Sequence, residues 1–190
     1  MASLSRIVID LAMLVGFPTR LLRLLLFSLV FTAAANAADP TEFTVGSFVF
    51  ARPETWGWVV PTSPMRKAQL SVPAVDASAP AEVTFFHFGA GQGGSVQANV
   101  DRWFKQFSDG YTDAKTERVR NTTVTFVKAF GTFSSGMPGG PTTPLKEYAL
   151  RGAILESPAG DVYVKMTGPQ AAVKLAEPAF EQMIREAASR

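Results

Sequence analysis

Cysteine is absent from this 190-residue chain. That removes disulfides, a lipid-anchored N-terminal cysteine, a thiol nucleophile and any cysteine-based metal site. A chain of this length can bury a core large enough to do without disulfides. Histidine is scarce too, with His87 alone. It has no second imidazole with which to share a metal. No G-x-S-x-G elbow occurs, and Ser134-Ser135-Gly136 lies in a loop with no recognisable triad partner. There is no internal repeat and no alternation of strand and helix that would signal a parallel sheet.

A surplus of charge is also missing outside the N-terminus. The formal net charge is +2. Arg6, Arg20 and Arg23 against Asp10 account for it. The 18 Lys and Arg less these three, and the 16 Asp and Glu less this one, leave 15 of each sign. The neutral remainder has no excess with which to neutralise phosphates, so nucleic acid is not an expected partner.

What the N-terminus does contain is a leader. Arg20 and Arg23 precede the apolar run Leu24 to Ala35, and Ala35-Asn36-Ala37 follows with an A-x-A pattern. Positive flank, short apolar core and small-residue exit define a secretory signal peptide. The run is shorter than the roughly 20 residues a membrane span needs. Residues 1–37 are therefore expected to be a signal peptide of bacterial type, with Met13 an alternative start. Residues 38–190 are expected to form one domain, periplasmic or secreted. Retention of the leader as a membrane anchor is the alternative.

Beyond the leader the pattern predicts strands with a few helices. Phe43 to Phe50 reads as one strand, rich in Phe and Val. Glu54 to Pro64 reads as a structured loop, Met65 to Val72 as a strand and Pro73 to Pro80 as a turn-rich connection. In Glu82 to Phe88, Val83, Phe85 and His87 share one face and Thr84, Phe86 and Phe88 the other. Val96, Val100, Trp103, Phe104 and Phe107 then make a helical stripe with Ser95 as its N-cap. Residues 109 to 120 read as a solvated, charge-mixed connection. Thr122 to Phe133, Glu147 to Leu155 and Asp161 to Met166 read as strands, the last two joined by a turn at Ser157 to Gly160. A terminal helix opens at Pro169, with Leu175, Ala179, Phe180, Met183, Ile184 and Ala187 as its stripe. Pro178 is expected to divide it in two. Strands in hairpin succession argue for an α+β fold: an antiparallel sheet of about six strands with two main helices packed on it.

Candidate functional residues are few. Gly89, Gly91 and Gly94 fit G-x-G-x-x-G between a strand and a helix, which is the local setting of a dinucleotide-binding loop. The wider setting differs, because the neighbouring strands read as antiparallel and no acidic residue ends the next strand. A structural turn is the better reading. An anion or polar ligand at Gly91, Gln92, Gly93, Gly94 and Ser95 is the functional alternative, since N–H groups at a helix start favour negative charge. His87, set between two Phe, reads as a packed or edge residue, with a general base in a small envelope enzyme as the rival. Trp103 lies on the helical stripe. Trp56 and Trp58, in a Pro-bounded loop, are candidates for contact with a partner. The Pro/Gly-rich stretch 134–144 reads as a mobile partner-contacting loop. No cofactor and no metal is expected.

Several segments carry a resemblance. Phe48 to Trp56 (F-V-F-A-R-P-E-T-W), the strand–glycine–helix unit with Asn99, Arg102-Trp103 and Gln106-Phe107, and Lys165 to Pro169 (K-M-T-G-P) resemble uncharacterised secreted bacterial proteins. Their overall pattern is similar to the PsbP-like fold, an α/β/α sandwich around an antiparallel sheet. The resemblance covers most of residues 42 to 188. It implies a non-catalytic module, because members of that fold mainly bind proteins or serve as accessory subunits. The role of PsbP in photosynthetic oxygen evolution is not implied, since none of its functional residues is matched. The expected function is a binding or accessory module of the cell envelope with a protein partner.

Overall fold

The computed structural model describes residues 39–75, 78–134 and 143–190. The leader and most of the 134–144 loop lie outside them. The main sheet has seven strands in the order β3-β4-β5-β9-β8-β7-β6, every neighbouring pair antiparallel. They are β3 (Gly57–Trp58), β4 (Arg66–Val72), β5 (Ala81–His87), β6 (Phe107–Val119), β7 (Thr122–Phe133), β8 (Leu145–Leu155) and β9 (Val162–Pro169). A separate hairpin pairs β1 (Glu42–Val45) with β2 (Phe48–Ala51). Helices α1 (Val96–Phe104) and α2 (Gln170–Ser189) complete the described elements. The class is α+β, as expected.

The period-two alternation of the central strands explains the layering. On β8, Ala149, Ala153 and Leu155 belong to one core cluster with Phe180, Met183 and Ile184 of α2 and Phe50 of β2. Leu150 and Ile154 belong to another, with Val100 and Trp103 of α1. One sheet therefore separates two apolar layers, with α2 and the β1–β2 hairpin on one face and α1 on the other. Trp103 packs on β8 over Gly152. A Cβ at Gly152 would stand 2.4 Å from its ring, so only glycine leaves room there.

Four expectations need correction. Phe107 is not on the helical stripe, because the helix ends at Phe104 and Phe107 opens β6 in register with Phe133. Phe43 to Phe50 is a hairpin, not one strand, because Gly46-Ser47 makes a two-residue turn between Val45 and Phe48. Residues 109 to 120 are not a connection. They belong to β6, a 13-residue edge strand that pairs with β7 through Val119↔Thr122. Ser108 to Thr116 are exposed, so no apolar alternation marks the strand, and its charges suit an open edge. The strand count rises accordingly, with two-residue β3 added inside the expected Glu54 to Pro64 loop. Finally, α2 is one 20-residue helix with Pro178 inside it. Its buried stripe is Ala172, Val173, Ala176, Phe180, Met183, Ile184, Ala187 and Ala188, while Leu175 is 73% exposed. Burial on both sides of Pro178, and ion pairs from Glu177 to Arg151 (2.9 Å) and Lys128 (2.5 Å) on the sheet, hold the two halves in line.

Candidate functional site

Helix α1 is only nine residues long, about 14 Å. It packs on the face formed by β7, β8 and β9 through Val127, Ala129, Leu150, Ile154 and Tyr163. A cleft of about 410 Å³ opens beside it, lined by Met65, Phe86, Phe88, Gly93, Asn99, Arg102, Trp103, Gln106, Tyr163 and Lys165. A second cleft of about 360 Å³ continues along the same face past Thr84, Phe133, Tyr148 and Thr167, and shares Phe86 and Lys165 with the first. Both volumes are of the size that holds small ligands.

Each polar group has a traceable position. Lys165 projects from the middle of β9, on the face opposite Val164 and Met166. It is half-buried, donates to Gln106 Oε1 at 2.7 Å, and lies 5.4 Å from the centre of the Phe133 ring. Burial lowers its ammonium from 10.5 to about 8; Glu82 opposes the fall, and Arg102 and Arg66 add to it. Asn99, 1% exposed, fastens the glycine loop to α1. Its Nδ2 donates to Gly93 O and Ser95 O, both at 2.9 Å, and its Oδ1 accepts from the Arg102 guanidinium. Arg102 is thereby held at the cleft, where it remains exposed. Tyr163 has a raised hydroxyl pKa, through burial first and Asp161 second, with Arg102 opposing. It therefore stays a neutral donor at neutral pH.

The glycine loop forms one wall. Ser95 Oγ accepts from Ala98 N at 3.2 Å, the N-cap expected from sequence. Gly93, at φ +93°, lines the cleft. A Cβ there would stand 2.7 Å from Tyr163 Oη. Gly91, Gln92, Gly94 and Ser95 are exposed and outside the cleft lining. The dinucleotide setting is absent, because β5 runs antiparallel to both β4 and β9. His87 lies on the face of β5 away from the cleft, its Nδ1 3.3 Å from Asp161 O. Trp56 is 3% exposed and part of the core, so the folded chain offers a partner no surface through it. Trp58 is half-buried, edge-on to Phe43 with ring centres 5.2 Å apart.

The fold therefore gathers a different set from the one the glycine motif suggests. Asn99, Arg102, Gln106 and Lys165 stand in the segments that carry the resemblance, yet nothing local gives them a role. One signal was available: a lysine in the middle of Val162-Tyr163-Val164-Lys165-Met166, a strand otherwise apolar.

Among the described residues no group of His, Cys, Asp and Glu is arranged to hold a metal, and no helix is long and apolar enough to cross a membrane.

No protein-family model and no curated protein matches the sequence. Solved structures do. The chain is similar to a Pseudomonas aeruginosa protein of unknown function, with 14% identity and a TM-score of 0.47, over 76% of this chain and 93% of that one. It is also similar to cyanobacterial PsbP from Synechocystis, with 9% identity and a TM-score of 0.49, over 80% of this chain and 95% of that one. Likenesses this distant say nothing of what the chain binds.

Proposed function

We propose that this chain is an exported, non-enzymatic binding module of the bacterial cell envelope, and that it recognises its partner or ligand through the cleft beside α1. The leader supports export. The carrying observation is the cleft lining, in which hydrogen-bonding groups (Asn99, Arg102, Gln106, Tyr163, Lys165) sit among Phe86, Phe88 and Trp103. Such a mixture orients and retains a bound group. The residues lining this cleft include no carboxylate or imidazole to serve as general base, and Glu82 of the adjoining cleft is held by Arg66 and Gln69.

The lack of native cysteine makes the test simple. A photoreactive maleimide is placed on Met65→Cys at the cleft rim, or on Leu175→Cys, an exposed position on α2 across the sheet. Irradiation in the intact envelope is expected to give a discrete adduct from position 65 and none from 175. Equal adducts from both would refute the cleft as the recognition site. N-terminal sequencing of the native protein is expected to begin at Ala38, and a cytoplasmic chain that keeps Met1 or Met13 would refute export.

A further inference from the structure

We infer that the cleft receives an oxyanion carried on an apolar body: a carboxylate or phosphate monoester attached to an aliphatic or aromatic group. The inference rests on the cleft being the recognition site and specifies its ligand.

Two cations, Arg102 and Lys165, line the cleft beside α1 and no acid does; the adjoining cleft has one acid, Glu82, beside Arg66. The carboxylate that acts on Lys165 is Glu82, which is already engaged. Its Oε1 accepts from Arg66 Nη1 and from Gln69 Nε2, each at 2.6 Å. Lys165 itself donates to a neutral amide, Gln106, and Arg102 to another, Asn99. Removing a cation from water is costly unless a counter-charge meets it. Here Lys165 is half-buried with a neutral hydrogen-bond partner, and Arg102, exposed on the same cleft, adds a second positive charge. Burial lowers the Lys165 ammonium to about 8 against the raising effect of Glu82, and an anion bound beside it would restore the charge.

The walls define the rest of the ligand. Phe86, Trp103 and the Tyr163 ring flank the cations, while Met65 is 58% and Phe88 38% exposed at the rim. Large apolar side chains left in water beside a cavity mark a surface meant to be covered. An inorganic ion would meet the cations and leave those walls wet. A neutral hydrocarbon would cover the walls and leave the charges uncompensated. Only a group that is both anionic and apolar satisfies the two halves. Lysine offers a point charge and arginine a planar fork, so either a carboxylate or a phosphate can be accommodated.

The test is calorimetric titration of the purified protein at pH 7 with probes of one chain length, below their aggregation concentrations: decanoate, decyl phosphate, decyltrimethylammonium and decanol. Acetate and inorganic phosphate supply the heads without tails. At least one tailed anion is expected to bind tenfold or more tighter than the tailed cation, the alcohol and either bare head. Lys165→Met and Arg102→Met are each expected to weaken it at least fivefold. Wild-type affinity should fall as pH rises through about 8, where the ammonium loses its charge, and Lys165→Met should abolish that dependence. The stronger of decanoate and decyl phosphate then separates a free acid from a lipid-like phosphate. Comparable binding of cation or alcohol, with competition by a label at Met65→Cys, would overturn the ligand class and leave the cleft reading intact. Anion binding indifferent to both variants, or no binding by any tailed probe, would overturn the inference. The former would remove the cleft reading with it.

Discussion

Replacing Lys165 by methionine should make the protein more stable, and the gain should shrink with rising pH. In the folded chain burial is the first cause that lowers the ammonium's pKa from 10.5 to about 8. That difference corresponds to about 3 kcal/mol of cost for keeping the charge at neutral pH. Partial solvent access reduces the figure to about 2–3 kcal/mol. Methionine keeps the length and apolar stem of lysine but forfeits the bond to Gln106 and the contact with the Phe133 ring, together about 1 kcal/mol. A net stabilisation of about 1–2 kcal/mol at pH 7 remains. The sign of the pH effect follows from proton counting. Between about pH 8 and 10.5 the unfolded lysine holds a proton that the folded one has released, so wild-type stability rises with pH in that window. Methionine has no such term. Urea unfolding of both proteins at pH 7, 8, 9 and 10 measures the gap directly. A variant less stable than wild type at pH 7, or a gap that stays constant from pH 7 to 10, would refute the reasoning. A charge retained at a cost to stability is the expected signature of a residue kept for binding.

Three further outcomes are expected. Gly152→Val drives a side chain into the Trp103 ring and should cost about 1–3 kcal/mol by overpacking, seen as a lowered unfolding midpoint; an unchanged midpoint would mean that α1 is free to shift. Glu177→Gln should destabilise by about 1–2 kcal/mol at pH 7, because it leaves the mostly buried Arg151 without its carboxylate, while Lys128 keeps Glu181 at 3.4 Å. Burial works to raise the Glu177 pKa, but the Arg151 and Lys128 hydrogen bonds prevail and hold it below 4.5. The wild-type advantage is therefore present above about pH 4.5 and lost as pH falls through the folded value, which acid unfolding curves of the pair would show. Gly93→Ala, strained at φ +93° and pressing on Tyr163 Oη, should weaken tailed-anion binding more than it alters the unfolding midpoint. The reverse ranking would make the loop a purely structural turn.

The central strands were legible because burial imposes alternation on them. Val83, Phe85 and His87 do lie on one face of β5 and Thr84 and Phe86 on the other. Elements whose conformation owes little to burial were not legible. Ser108 to Thr116 of β6 are exposed, so no burial alternation marks them; the strand is held by backbone pairing with β7 and by cross-strand pairs such as Tyr111 on Phe130 and Thr116 with Thr125. Leu175 fits the helical period yet lies outside the buried stripe of α2, because rotation about a helix axis is set by packing and not by spacing. The cleft was least legible of all. Gln106 and Lys165 stand 59 residues apart, and only the insertion of β9 between β5 and β8 brings them into contact. Periodicity marks which residues are covered; it carries no record of where the cover stops.

That stopping point has a consequence of its own. The cleft runs along the flank of α1, from Gly93 before the helix, past Asn99, Arg102 and Trp103 on it, to Gln106 after it, and Phe86 of β5, with Tyr163 and Lys165 of β9, supplies the sheet side. The helix side is a nine-residue element tied to the glycine loop by Asn99. The sheet side is a strand hydrogen-bonded to a neighbour along both edges. Capacity and chemistry are thus held by separate elements, and a shift of α1 would fit a wider or narrower guest without disturbing the strand that carries the receiving charge.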